Sequence, residues 1–183
     1  SKIISITGSC GKTSLKELTG RSLKKISQTT YSPKSFNNKY GVPISLFNLK
    51  KNDEFGIFEI GMDKRGEIDY LSKIIKPDVG VITNISHAHI KNFKNINQIA
   101  LAKSEIIKNI NEDGYLVLNK DDKFYNFHKK IALKRNLKIL SFSLKNESAT
   151  TYLDSISKEK SKYKISININ KIKKLFYLNT FFE

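Results

Sequence analysis

The run Ile3-Ile4-Ser5-Ile6-Thr7 leads directly into Gly8-Ser9-Cys10-Gly11-Lys12-Thr13-Ser14, and a stretch with helical spacing, about Thr13 to Lys25, follows. β-Branched residues at the start predict a buried strand. Leu15, Leu18 and Leu23 predict a helix with one apolar side. A glycine turn between a strand and a helix is a place for an anion. The helix N-terminus offers unpaired N–H groups and the positive end of its dipole, and the glycines let the backbone close around phosphate. Lys12 has the reach to touch outer phosphates, and the Thr13 hydroxyl can ligate Mg²⁺. The usual spacing, G-x-x-x-x-G-K-[ST], would place glycine where Ile6 stands, so the loop is a shortened variant, T-G-x-x-G-K-T. A nucleoside triphosphate is the ligand this predicts, held by Gly8, Ser9, Cys10, Gly11, Lys12, Thr13 and Ser14. Cys10 reads as a small filler in place of a serine.

Apolar runs and helical patterns continue to alternate. Strands are predicted at Gln28 to Tyr31, Phe55 to Ile60, Val79 to Thr83, Tyr115 to Asn119 and Lys138 to Phe142. Helices are predicted at Tyr40 to Leu49, Glu67 to Ile75, Ile96 to Ile110 and Phe124 to Arg135. Such alternation implies an α/β fold, a mostly parallel sheet with helices on both faces. Tyr152 to Ile156 and Tyr163 to Ile169 alternate apolar with polar residues instead, which predicts a C-terminal antiparallel hairpin. With no repeat and no linker, residues 1–183 read as one domain whose C-terminal edge is unfinished.

Composition narrows the setting. The 33 Lys+Arg against 17 Asp+Glu give a net charge of +16 over 183 residues. The excess is dispersed and mostly lysine, so it reads as a solvated basic surface, and neither a nucleic acid nor a membrane partner is expected. No apolar run approaches the roughly 18 residues of a membrane span. One cysteine excludes an internal disulfide framework, and the N-terminus leaves no room for a signal peptide, so a cytoplasmic location is expected.

Further chemistry gathers at the predicted strand ends, the edge of an open α/β sheet where ligands bind. Glu59 is placed to hold Mg²⁺ directly or through water. Val79 to Thr83 runs into Asn84-Ile85-Ser86-His87-Ala88-His89, whose histidine pair lacks the companions of a zinc site. His87 reads as an exposed histidine. Lys103, after Leu101 and Ala102, is able to face inward, where a lysine shifts its pKa readily.

In order, T-G-S-C-G-K-T-S (7–14), F-N-N-K-Y-G-V-P (36–43), E-I-G-M-D-K-R-G-E-I (59–68), T-N-I-S-H-A-H-I (83–90), A-K-S-E-I (102–106) and L-N-K-D-D (118–122) resemble the central ATP-binding domain of the Mur ligases. The likeness runs from Ile3 to about Ser143. Within that family, N-N-x-x-G-V-P with G-x-x-x-x-G-E-I is most similar to the branch that adds D-alanyl-D-alanine to UDP-N-acetylmuramoyl-tripeptide. The resemblance implies an ATP-dependent amide ligase of peptidoglycan precursor synthesis that works through an acyl phosphate. It implies ATP and two Mg²⁺ as cofactors, with Lys12 on the β/γ-phosphates and Thr13 on one metal. Glu59 and His89 would ligate a second metal, joined by Lys103 once carbamylated by CO₂. Lys12, His89 and Lys103 would be the catalytic set, Asn37, Asn38 and Asn84 would line the substrate cleft, and Asn119 and Asp121 would lie near the nucleotide.

Such a ligase has an N-terminal UDP-sugar domain and a C-terminal domain besides this one. This sequence starts on the central domain's first strand, and it lacks the G-x-H-N-x-x-N segment after Ser143. The expectation is therefore a truncated central domain, partnered by flanking ligase domains and inactive alone. The alternatives are a non-catalytic nucleotide-binding remnant, a folylpolyglutamate-synthase-like ligase module and a basic nucleic-acid-binding protein.

Overall fold

A computed structural model describes residues 1–87, 92–160 and 162–179. The elements run β1 (Lys2–Thr7), α1 (Lys12–Leu23), β2 (Thr29–Tyr31), α2 (Gly41–Phe47), β3 (Phe55–Glu59), α3 (Glu67–Ile75), β4 (Val79–Ile82), α4 (Ile96–Lys103), a 3₁₀ helix (Ser104–Asn109), β5 (Tyr115–Asn119), α5 (Tyr125–Leu133), β6 (Lys138–Ser143), β7 (Thr151–Glu159), β8 (Lys162–Ile169) and β9 (Ile172–Asn179). The nine strands form one sheet in the order β2-β3-β1-β4-β5-β6-β7-β8-β9. From β2 to β7 every neighbour is parallel, and β7, β8 and β9 are antiparallel. Among the described residues no helix is long and apolar enough to cross a membrane.

The central strands have apolar residues on both faces, so each face must be covered. α1 packs over Ile6, Ile57 and Val81, with Leu15 and Leu23 added from the helix itself. The larger cluster on the other side joins Phe58, Ile60, Ile82 and Leu116 to Ile68 and Leu71 of α3 and to Ile99 and Ala102 of α4. Strand register then fixes the position of the site. Ile6 is level with Glu59 across β1 and β3, and Thr7 is level with Ile82 across β1 and β4. The loop after β1, the carboxylate ending β3 and the polar segment after β4 therefore emerge side by side.

Three expectations need correction. Leu18 does not share the buried side of α1; it is exposed, and the helix instead buries Lys16 and Gly20. The expected helix from Ile96 to Ile110 changes character after Lys103 and continues as a 3₁₀ turn. Nothing in its sequence breaks a helix. Tertiary hydrogen bonds hold the tighter turn, from α3 backbone amides to Glu105 and from Asn109 to Asp69 and Ser72. Finally, the C-terminal hairpin has a third strand, β9. Asn170 and Lys171 both take left-handed backbone angles between the paired Ile169 and Ile172, a two-residue turn that matches strand twist. An Asn-Lys pair signals such a turn less clearly than Asn-Gly, and Lys173 and Lys174 disguise the strand.

Gly20 shows how closely α1 approaches β2. A Cβ there would stand 2.4 Å from the Tyr31 ring. Glycine to alanine in an open helix stabilises by roughly 1 kcal/mol. At this position overpacking outweighs propensity, and Gly20→Ala is expected to lose about 1–2 kcal/mol in urea unfolding; a gain would show that Tyr31 yields freely.

Candidate active site

The loop between β1 and α1 is held in shape from outside. Gly8 (φ 148°) and Gly11 (φ 79°) take positive backbone angles, which side chains rarely adopt. A Cβ on Gly8 would also lie 1.9 Å from the Thr83 hydroxyl oxygen. The segment after β4 grips the loop through several bonds. Thr83 Oγ1 donates to the Cys10 carbonyl at 2.6 Å, Asn84 Oδ1 accepts from the Cys10 amide at 3.0 Å, and the Ser9 amide donates to the Asn84 carbonyl at 2.9 Å. Ser9 Oγ accepts from the Ser86 amide at 2.9 Å. Asn84 thus braces the phosphate loop. Its side chain is the right length to span the two segments, and the loop's own amide and carbonyl occupy it.

Lys12 folds back over the loop, with Nζ 2.9 Å from the Gly8 carbonyl and 3.4 Å from that of Ser9. Its neighbour Thr13 donates from Oγ1 to Glu59 Oε2 at 2.7 Å, and Asn37 Nδ2 donates to the other carboxylate oxygen, also at 2.7 Å. Glu59 is 1% exposed, and among the described residues no ion pair engages it. A buried carboxylate flanked by a hydroxyl and a neutral amide is a hard-oxygen donor set of the kind that holds Mg²⁺ together with phosphate and water. No group of three or more His, Cys, Asp or Glu clusters for a metal among the described residues. His89 lies outside the described residues.

Lys103 arrives from α4 on the opposite side and donates from Nζ to the Gly8 carbonyl at 3.0 Å. Burial, reinforced by the nearby charge of Lys12, pulls its pKa down to about 7. Two residues on, Glu105 accepts from the amides of Gly66 and Asp69 at the start of α3, and burial raises its pKa. The A-K-S-E-I stretch therefore ties the phosphate loop to the 61–67 loop.

A cavity of about 530 Å³ opens beside Lys12. Asn37 and Asn38 line it, and Lys12, Lys39, Lys64 and Arg65 face it together with Asp63, Glu67 and the apolar Met62 and Leu71. The Asn38 side chain also accepts from the Tyr40 and Gly41 amides at the start of α2. Asp121 is engaged at the end of β6. Its carboxylate accepts from Ser143 Oγ and the Leu144 amide, bonds that hold its pKa below the usual range. Asp122 is the residue that reaches back, accepting from the Ile85 amide at 2.6 Å, while Asn119 caps the Asp121 amide. Sequence reading missed Thr83, Ser86, Glu105, Asp122 and the buried Lys16. Only Glu105 carried a signal, its spacing from Lys103.

Residues 6–179 match the Mur ligase middle domain family. The chain belongs to the Mur ligase family. It is 39% identical over 165 residues to the UDP-N-acetylmuramoyl-tripeptide–D-alanyl-D-alanine ligase of Buchnera aphidicola subsp. Baizongia pistaciae, covering 89% of this chain and 35% of that one. In the crystal structure of MurF from Acinetobacter baumannii, the corresponding region superposes with a TM-score of 0.89 at 31% identity, covering 97% of this chain and 38% of that one. MurF from Thermotoga maritima, solved with ADP, gives 0.84 at 28% identity over 98% and 40%. The chain thus spans about a third of the length of the relatives it matches, and the Mur ligase middle domain is the part it supplies.

The Lys103 shift has a testable sign. Unfolded lysine binds its proton up to about pH 10.5, whereas the buried amine releases it near 7. The native state is therefore penalised below pH 7 and relieved as pH rises toward 10. Relative to Lys103→Met, the wild-type chain is expected to gain about 2–3 kcal/mol of unfolding stability between pH 6 and pH 9, read by urea titration. An equal response of both proteins would refute the shift.

Proposed function

We propose that this chain is the ATP-binding module of a ligase that joins D-alanyl-D-alanine to UDP-N-acetylmuramoyl-tripeptide. The observation that carries the reading is the convergence of Lys12, Thr13, Glu59 and Lys103 on one preshaped phosphate loop. The relatives named above give the substrate pair; that one was solved with ADP supports the nucleotide. In those relatives the module is about a third of the chain, so the complete reaction is assigned to the assembled ligase with its flanking domains.

In this reading the amides of Gly8 to Thr13 cradle the β- and γ-phosphates, and Lys12 exchanges its loop carbonyls for phosphate oxygens. The cavity beside it, where Lys12, Lys39, Lys64 and Arg65 outnumber Asp63 and Glu67, receives the carboxylate end of the tripeptide, bringing one anion toward another. That carboxylate attacks the γ-phosphorus, the bond to the β-bridging oxygen breaks, and acyl phosphate and ADP result. The dipeptide amine then attacks the acyl carbon, loses a proton and expels phosphate. Cations serve here more than a general base, because the nucleophile is already charged. Mg²⁺, held with the nucleotide by Thr13 and by Glu59, which bonds the Thr13 hydroxyl, would supply charge neutralisation at the phosphoryl oxygens, and Glu59 and His89 remain the expected ligands of a second ion. Near pH 7 Lys103 keeps a large share of its amine neutral. Its lone pair is then available to carbon dioxide, forming a carbamate and releasing one proton, which replaces a cation by an anion beside the loop.

Calorimetric titration of the purified chain with ADP and Mg²⁺ tests this. Removing the ammonium in Lys12→Ala is expected to weaken binding about ten- to a hundredfold, the range for a charge-assisted hydrogen bond. Absence of Mg²⁺-dependent nucleotide binding, with Lys12→Ala indistinguishable from wild type, would refute the reading.

A further inference from the structure

Lys16 is fully buried, one helical turn beyond Thr13 on α1. An ammonium withdrawn from water is costly unless its N–H groups are met. Here Nζ donates to the carbonyls of Ser32 and Lys34, pairs with Glu17 at 2.9 Å and lies 6.0 Å from the centre of the Tyr31 ring. All three donors of the ammonium are used. Two of the acceptors are main-chain atoms of the turn that leaves β2. Lys34 in that turn takes a left-handed φ of 46°, unusual for a residue with a side chain, so the turn is held where it would not rest alone.

The held turn leads to Asn37. The Asn37 carbonyl accepts from the Gly61 amide at 2.7 Å, and its side chain donates to Glu59. Glu59 accepts in turn from Thr13, which returns the path to α1. The circuit is closed: α1 fixes the turn through Lys16, the turn fixes Glu59 through Asn37, and Glu59 fixes the first turn of α1. The phosphate loop is braced separately, by Thr83, Asn84 and Ser86. We propose that Lys16 is a positioning residue for the metal side of the site, holding Asn37, Glu59 and Thr13 in register without touching nucleotide or metal. This rests on the reading of Thr13 and Glu59 as Mg²⁺ ligands.

The test separates metal from nucleotide. Lys16→Met fills the same space without the charge. ADP affinity measured in EDTA is expected to stay within about twofold of wild type, because the loop bracing is intact. Mg²⁺ affinity of the ADP-saturated chain is expected to fall about ten- to a hundredfold, as for lost outer-shell support. Unchanged Mg²⁺ affinity would overturn the proposal, and so would an equal loss of ADP affinity in EDTA, which would mean a general structural role. Amide hydrogen exchange without nucleotide gives a second readout. Gly61, bonded to Asn37, is expected to exchange at least about tenfold faster in the variant, while Ile60, bonded to Ile6 across the sheet, does not change. If Gly61 is unchanged, or if both accelerate together, Lys16 does not position Asn37, whatever ADP does. Should wild type bind no ADP, the nucleotide reading fails and the exchange ratio alone decides the role of Lys16. If Lys16→Met does not fold, Lys16→Arg replaces it. Its longer, planar head cannot reproduce the three contacts, so the same two readouts are expected to move, and wild-type values in both would overturn the proposal.

Discussion

Parallel pairing of β1 with β3 and β4 is the constraint from which the site follows. Ladder hydrogen bonds tolerate no gradual slip, since a one-residue shift would invert every side chain. Holding Ile6 level with Glu59 and Thr7 level with Ile82 therefore decides what meets the loop when β1 ends. On one side stands a carboxylate, on the other the hydroxyl of Thr83. Helices cover both faces of the central strands, and the loops after β1, β3 and β4 emerge together at one edge. The phosphate loop owes its shape to that neighbourhood as much as to its glycines, because Thr83 and Asn84 hold its backbone and Ser86 holds the Ser9 hydroxyl.

The interior beside this edge is unusually polar for a sheet core. Lys16, Lys103, Glu59 and Glu105 are all buried. Each would be costly alone, and each is met by named partners: carbonyls for the lysines, amides and a hydroxyl for the carboxylates. Lys103 is the least balanced. Among the described residues, its hydrogen bond to the Gly8 carbonyl does not offset burial beside Lys12, which is why its proton is loosely held. An amine of that kind is primed for chemistry, whereas Lys16, with every donor used, is primed for holding.

Much of this was legible in the sequence, for reasons that differ by element. The β-branched runs of β1 and β4 and the glycine turn between β1 and α1 carry local signals that tertiary context only confirms. Glu59 was legible because a strand end is a fixed place in an open parallel sheet. Lys16 was not. It resembles any solvent-facing helix lysine, and only the turn after β2, far from it in pattern, explains its burial. The exposure of Leu18 is the other side of the same fact. Asp121 and Asp122 were indistinguishable as neighbours in sequence; Asp121 bonds Ser143 and Asp122 bonds the Ile85 amide in the segment after β4. The change to a 3₁₀ turn after Lys103 came from contacts with α3 that no helical periodicity records.

The central claim is that nucleotide and metal meet at one prebuilt edge. Backbone amide chemical shifts, followed as ADP and Mg²⁺ are added to the isotopically labelled chain, address it most directly. The account predicts saturable shifts concentrated at residues 8–14, with Asn37, Glu59 and Gly61 responding when Mg²⁺ is added to the ADP-bound chain. Shifts concentrated on β7 to β9, or none at residues 8–14, would contradict it.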